Sequence, residues 1–213
     1  MFIAWGLCKI QIRDGNMIAS ERNYRLDLHT QLSIIIMHIL AISGSLRHTS
    51  TNTNILKACA KLAPPGVEIK LYDGLDKLPY FSPELDTETS IPAPAVKDLR
   101  EQLKHADAVI FCTPEYAFGV PGVLKNALDW IVSSGEFYDK KTAVISASPL
   151  ATGGDKANAS LVQTLTVMSA KIPEENKVLI PIVRTKIDGQ GNITDPGLIT
   201  ILQKVINSLI DFS

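Results

Sequence analysis

The segment Gly44-Ser-Leu-Arg-His-Thr-Ser-Thr-Asn-Thr-Asn54 concentrates groups that bind an anion. Eight of the twelve residues from Ser43 to Asn54 carry a hydroxyl or a side-chain amide, and Arg47 adds a fixed positive charge. A phosphate needs several donors and a positive partner, and hydroxyls, a guanidinium and the free N–H groups of a following helix supply both. An ordinary polar loop with a helix N-cap, Ser50 to Thr53, would account for one of these hydroxyls. The segment is not a nucleotide P-loop, because GxxxxGK[ST] is absent, and it is not the GxGxxG fingerprint of an extended dinucleotide. The chemistry it predicts is retention of a phosphate-bearing ligand.

Two further segments share its composition of small, polar and glycine residues. Thr113-Pro-Glu-Tyr-Ala-Phe-Gly-Val-Pro-Gly122 holds two prolines, two glycines and two aromatics. Such a stretch is stiff, lets backbone N–H groups approach a flat ligand, and offers Tyr116 and Phe118 as π-surfaces. An ordinary strand-to-helix turn carrying two core aromatics is the alternative. Ser146-Ala-Ser-Pro-Leu-Ala-Thr-Gly-Gly154 is again small, polar and glycine-rich, with glycines that permit close backbone approach. A flexible loop would look the same.

These segments need a frame, and hydrophobic periodicity supplies one. Ile34–Ser43 is an apolar run, as expected of a strand buried on both faces. A helix is predicted over Thr53–Leu62, stopped by Pro64-Pro65-Gly66. Then follow a strand over Val67–Tyr72, a long proline-containing loop Asp73–Pro94, a helix Val96–His105 and a short apolar strand Ala108–Thr113. Helix Val120–Ser133, strand Thr142–Ala147, helix Lys156–Ser169, strand Lys177–Ile182 and helix Pro196–Phe212 complete the chain. Strands alternating with helices imply a parallel sheet covered on both faces. Five units fit a flavodoxin-like three-layer α/β sandwich with a five-stranded parallel sheet. In such sheets ligands bind beyond the carboxyl ends of the strands, where the strand order reverses. The three unusual segments follow the first, third and fourth of these strands.

Residues 1–33 show no sustained period and are read as an N-terminal extension: a tail, disordered or not native, or the product of a start site placed too far upstream. The working domain is placed at 34–213. Composition narrows the partners. The 213 residues carry a net charge of −1, which offers no basic excess for nucleic acid. The chain contains no apolar run long enough to span a bilayer, and its N-terminus has neither signal-peptide nor transit-peptide character. Cys8, Cys59 and Cys112 lie far apart without metal-ligand spacing, so no metal site is expected. Cys59 and Cys112 read as small buried apolar residues, which fits a reducing cytoplasm. His48 reads as a surface residue of its loop.

The segments Gly44-Ser-Leu-Arg-x-x-Ser-x-Asn52 and Thr113-Pro-Glu-Tyr-x-x-Gly-x-Pro-Gly-x-Leu-Lys-Asn-Ala-Leu-Asp-Trp130, with Gly153-Gly154 opening a helix, resemble the NADPH-dependent FMN reductase family. That family includes FMN-containing quinone, chromate and azo-dye reductases. Leu78-Pro-Tyr-Phe-Ser-Pro-Glu-Leu85 resembles its loop after the second strand, and the likeness covers about residues 37–213. The resemblance implies noncovalently bound FMN and hydride passed from NADPH or NADH, through that cofactor, to a small acceptor. It implies a homodimer or homotetramer, with Lys125, Asn126, Asp129 and Trp130 at a subunit interface. Carried over residue by residue, Ser45, Arg47, Ser50 and Asn52 would hold the phosphate. Pro114, Glu115, Tyr116 and Phe118 would line the isoalloxazine, and Ser148, Gly153 and Gly154 would close the third side. Two positions depart from the pattern: Ala117 stands where the family often has Asn, and Pro149 removes a backbone donor. No side chain is assigned as catalytic, because the cofactor carries the chemistry. The alternatives are a flavodoxin-type electron carrier, which the near-neutral charge disfavours, and a flavin-binding module without a substrate of its own.

Overall fold

The computed structural model describes residues 3–5, 8–13, 16–19 and 37–211. The chain divides into two compact units, residues 1–35 and 36–213. In the first, β1 (Ile3–Trp5), β2 (Cys8–Arg13) and β3 (Asn16–Ala19) form an antiparallel sheet in sequential order. The sequence reading found no period here, yet Cys8, Ile10 and Ile12 alternate with Lys9, Gln11 and Arg13 along β2. The readings of a disordered tail and of an upstream start concern residues that lie partly outside the described ones.

The second unit contains β4 (Met37–Ser43), α1 (Thr51–Leu62), β5 (Val67–Tyr72), α2 (Pro94–His105), β6 (Ala108–Thr113) and α3 (Gly122–Asp129). After these come β7 (Lys141–Ala147), α4 (Asp155–Val167), β8 (Lys177–Ile180) and α5 (Pro196–Asp211). The five strands pair in parallel in the order β5-β4-β6-β7-β8. Every residue of the central strand β6 is buried, which is why Ala-Val-Ile-Phe-Cys-Thr reads as an unbroken run rather than an alternating one.

Period-two alternation sorts the strand residues onto two cores. Ile39, Ala41, Ile110, Cys112 and Ile145 face α1 and α5, where they meet Ile55, Leu56, Leu202 and Val205. Leu40, Ile42, Val109, Phe111 and Val144 face the other side, against Leu99 and Leu103 of α2, Leu124 and Leu128 of α3, and Leu161 and Leu165 of α4. The result is the three-layer flavodoxin-like arrangement, with Cys59 and Cys112 inside it. Burial pushes the Cys59 thiol up to about 12. The Cys112 thiol is raised as well, by burial and then by its neighbour Cys59.

Several elements are shorter than their apolar patterns. Of the strand expected over Ile34–Ser43, Met37–Ser43 is observed and residues 34–36 lie outside the described ones. The helix expected over Val120–Ser133 covers Gly122–Asp129 and then turns. Its carbonyl at Trp130 accepts from the Arg100 guanidinium (Nε 3.2 Å, Nη2 2.5 Å) instead of from a further turn of helix. Strand β8 ends at Ile180 because Pro181 has no N–H and Ile182 turns left-handed at φ 51°. Helix α1 begins two residues before the expected Thr53, which brings Thr51 and Asn52 into its first turn.

Candidate active site

Strand β4 connects outward to β5 on one side, and the chain then crosses to β6 on the other. The order reverses between β4 and β6, so a crevice opens at their carboxyl ends. Into it project the loops after β4, β6 and β7. They enclose a cavity of about 380 Å³ lined by residues of all three loops, within the range of small-molecule sites. Size alone does not single it out. A hollow of about 570 Å³ lies around His38, Glu68, Lys70 and His105. That hollow sits toward the amino ends of β4 and β5, where no strand-end loops converge, so position decides against it.

Gly44 explains how the first loop leaves β4. A Cβ there would stand 2.5 Å from Oγ1 of Thr113, the last residue of β6. The loop then reaches Ser50, whose Oγ accepts from the Thr53 N–H at 3.3 Å and caps α1. Ser45 Oγ accepts from the Arg47 N–H at 3.3 Å, and across the cavity Ser148 Oγ accepts from the Leu150 N–H at 3.1 Å. Each of these three seryl oxygens is occupied as an acceptor by its own loop, and each keeps its O–H proton to donate. Ser45, Ser50 and Ser148 are all buried and all line the cavity. Asn52, only 5% exposed, uses Oδ1 to accept from the Cys112 thiol at 3.2 Å. That thiol stays protonated because burial raises its pKa. The Asn52 amide donors are left over. The N–H groups of Thr51 and Asn52, in the first turn of α1, have no intrahelical acceptor. The lining is therefore a donor-rich concavity at a helix N-terminus, and this donor set fits a phosphate dianion.

The second loop is a tight hairpin. Tyr116 and Gly119 exchange both backbone hydrogen bonds, at 3.1 and 3.0 Å. Ala117 and Phe118 between them are both left-handed, at φ 48° and 59°. Two successive positive φ values define the type I′ turn, which favours Asn-Gly; here Ala and Phe occupy it, and such backbone strain tends to collect at functional sites. The turn sets Tyr116, half-exposed, against the cavity. It carries Phe118 to its tip, 80% exposed and off the cavity wall.

Glu115 has a second duty. Helix α4 starts after Gly154, whose missing side chain supplies no cap. Glu115 Oε2 fills that role from 41 residues upstream, accepting from the N–H groups of Lys156 at 2.9 Å and Ala157 at 3.0 Å. Its carboxylate is thereby tied to a helix N-terminus. Gly153 and Gly154, at φ 66° and 83°, are buried beneath the third loop. A Cβ on Gly153 would press on Pro181 N at 3.1 Å, and one on Gly154 would touch Ser146 and Glu115 at 3.4–3.5 Å. They close the loop against β8 and Glu115 and do not line the cavity.

Of the residues carried over by resemblance, the cavity brings together Ser45, Arg47, Ser50, Asn52, Pro114, Glu115, Tyr116 and Ser148. Phe118, Gly153 and Gly154 lie outside its wall. Thr51, Ala147, Pro149 and Leu150, also on the wall, lie in two of the marked segments without having been assigned as binding residues, whereas Val183 and Arg184 lie outside all three. Arg184 follows β8 on a short turn, Val183–Thr185, and its only sequence signal was one of several charges past the fifth strand. Asn126 and Trp130 also look inward. Asn126 accepts from the Phe81 N–H at 2.8 Å and donates to Pro79 O at 3.0 Å, and Trp130 Nε1 donates to the same carbonyl at 2.9 Å. With Phe81 edge-on to Trp130 at 5.1 Å, they pin the loop after β5.

The NADPH-dependent FMN reductase family model matches residues 37–184. An NAD(P)H-dependent FMN reductase of Pseudomonas aeruginosa is 35% identical over 173 residues, covering 80% of this chain and 92% of that protein. A quinone reductase of Escherichia coli is 28% identical over 179 residues, 83% of this chain and 95% of that one. Among solved structures, the flavoenzyme NAD(P)H:(acceptor) oxidoreductase of Paracoccus denitrificans superposes with a TM-score of 0.72 at 28% identity, over 83% of this chain and 96% of that chain. The matched span runs from the first residue of β4 to the turn after β8 and so contains the whole cavity: the chain belongs to the NADPH-dependent FMN reductase family.

Proposed function

We propose that the cleft above β4, β6 and β7 seats FMN and is where this NAD(P)H-dependent oxidoreductase reduces a small acceptor, of which quinones are the first class to test. The observation that carries this reading is the convergence of three strand-end loops on one cavity whose polar groups are nearly all donors. Ser45, Arg47, Ser50 and Asn52 would hold the phosphate at the N-terminus of α1. Pro114, Glu115, Tyr116 and Ser148 would flank the ring system.

Bound FMN supplies the hydride-accepting and hydride-donating chemistry. The chain's own residues bind and orient. The cavity wall carries no His, Lys, Asp or Cys. Its single carboxylate, Glu115, caps α4 through Oε2. Tyr116 and the Pro114 ring shape a stiff wall, and the half-open mouth admits NAD(P)H and acceptor in turn. Relatives named as quinone reductases support the acceptor class.

We place the enzyme in the cytoplasm and as a homo-oligomer. Free, buried Cys59 and Cys112 support the first. Exposed Val132 and Val167, flanking one groove between α3 and α4, support the second. Among the described residues no helix is long and apolar enough to cross a membrane.

The test is direct. Anaerobic mixing of the FMN-loaded protein with NADPH or NADH should bleach the flavin absorbance, and 1,4-benzoquinone should restore it. No bleaching by either nucleotide overturns the reading. Arg47→Ala should weaken FMN binding by about 1.5 kcal/mol, roughly tenfold, as expected of one solvent-exposed charge-assisted contact. An unchanged FMN dissociation constant would remove Arg47 from the site.

A further inference from the structure

Arg184 lines the same cavity as Arg47, Ser50 and the first turn of α1. Three observations fix it there. Ile182 donates its N–H to Leu150 O at 3.1 Å and Val183 donates to Ser148 O at 3.0 Å, which stitches the turn after β8 onto the loop after β7. Val183 itself is buried in the core beneath α1 and α5, so the residue beside it is held close to that helix layer. Ile182 is left-handed at φ 51°, a conformation that is a true outlier for a β-branched side chain. Such strain persists only where the surroundings impose it; here it turns the chain back over the cavity.

Charge supplies the argument for a role. A phosphate monoester carries about −1.5 to −2 at neutral pH. Arg47 offsets one charge and the α1 N-terminus about half of another. The only carboxylate on the cavity wall, Glu115, is tied to α4. Among the described residues neither Arg47 nor Arg184 has a protein acceptor for its guanidinium. Arg47 and Arg184 thus put two positive charges on one small cavity, which favours an anion there.

We infer that Arg184 is a second cation of the phosphate subsite, so that FMN phosphate is held jointly by Arg47 and Arg184, and that this pair selects the phosphorylated flavin over riboflavin. The inference rests on the reading of the cleft as the FMN site. Arg184 is a binding residue from the fifth strand's turn, outside the three loops that the sequence marked.

The experiment is a titration of FMN-free protein with FMN and, separately, riboflavin, followed by flavin fluorescence at several salt concentrations. In Arg184→Gln the FMN dissociation constant should rise on the order of tenfold, with that for riboflavin unchanged and a shallower salt dependence for FMN. Arg184→Lys should recover part of the loss, which a purely structural role would not give. If Arg47→Ala weakens FMN but Arg184→Gln does not, the inference fails and the site reading stands. If neither variant changes FMN affinity, the site reading itself fails. If Arg184→Gln raises only the KM for NADPH, the guanidinium serves the co-substrate and the inference is overturned.

Discussion

Removing the Glu115 carboxylate should loosen the protein before it touches the chemistry. Helix α4 has Gly154 at its N-cap and no side chain of its own to satisfy its first N–H groups. Glu115 Oε2 alone accepts from Lys156 and Ala157, at 2.9 and 3.0 Å. Losing a cap costs about 1 kcal/mol, and losing a negative charge at a helix N-terminus adds roughly 0.3–1 kcal/mol. Glu115→Ala should therefore destabilise by about 1.3–2 kcal/mol, or roughly 3–8 °C in Tm for a unit of this size. Glu115→Gln keeps an oxygen acceptor and forfeits only the charge, so about 0.3–1 kcal/mol is expected. The same carboxylate anchors the loop bearing Pro114 and Tyr116, so the FMN dissociation constant should rise a few-fold in the Ala variant and less in the Gln variant. Urea unfolding of the FMN-free protein gives the first quantity and flavin fluorescence the second. If Glu115→Ala leaves unfolding unchanged, the capping role is wrong. If Glu115→Gln keeps full stability but abolishes turnover, the carboxylate acts on substrate.

Two further outcomes follow from the loops. Asp86 pairs with Arg100 at 2.8 Å, both side chains largely buried, and its other oxygen accepts from the Ser133 hydroxyl at 2.6 Å. Burial alone would raise the Asp86 pKa, but the Ser133 hydroxyl and the Arg100 guanidinium outweigh it and hold the carboxyl below its ordinary 3.8. Its contribution is therefore fully present above about pH 4 and lost as pH falls through the lower folded value. Asp86→Ala should cost on the order of 3 kcal/mol at pH 7 and flatten the acid limb of a stability profile measured by urea unfolding from pH 7 to 3; an unchanged limb would show that the pair contributes nothing there. Ala117→Gly should relieve a left-handed residue and raise stability by about 1 kcal/mol, read as a higher urea midpoint at constant m-value, and a lower midpoint would refute strain at this turn.

How much of this was legible in the sequence depends on whether a residue's partner is near or far along the chain. The five strands and helices were readable because burial on one or two faces imposes a local period, and the fully buried β6 announced itself as a run of five apolar residues closed by Thr113. The loops were readable because donors and turn residues cluster within each. What periodicity could not give was the destination of a group. Gly153 and Gly154 signal tight backbone geometry, and Pro181, Ser146 and Glu115 are what a side chain there would meet. A glycine reports that something comes close without reporting what. Two consecutive positive φ values, invisible in the letters Ala-Phe, place Phe118 at the tip of a turn. Between the segments that form β2 and β3 the sequence carries Asp14-Gly15, a short-range hairpin signal that has no long period.

The seryl hydroxyls show the same limit from the other side. Composition alone counts eight polar side chains around Gly44–Asn54 and cannot say which still have a proton to give. Thr53, for instance, shares a hydroxyl–hydroxyl hydrogen bond with Ser43 at 2.8 Å. Ser45, Ser50 and Ser148 instead take an N–H onto oxygen within their own loops. That local bond orients each hydroxyl and reserves its hydrogen for whatever occupies the cavity. Preorganised donors lose little entropy when an anion arrives. A cleft of this kind can hold a cofactor tightly, and in the proposed reading the bound cofactor, and not the protein, carries the redox chemistry.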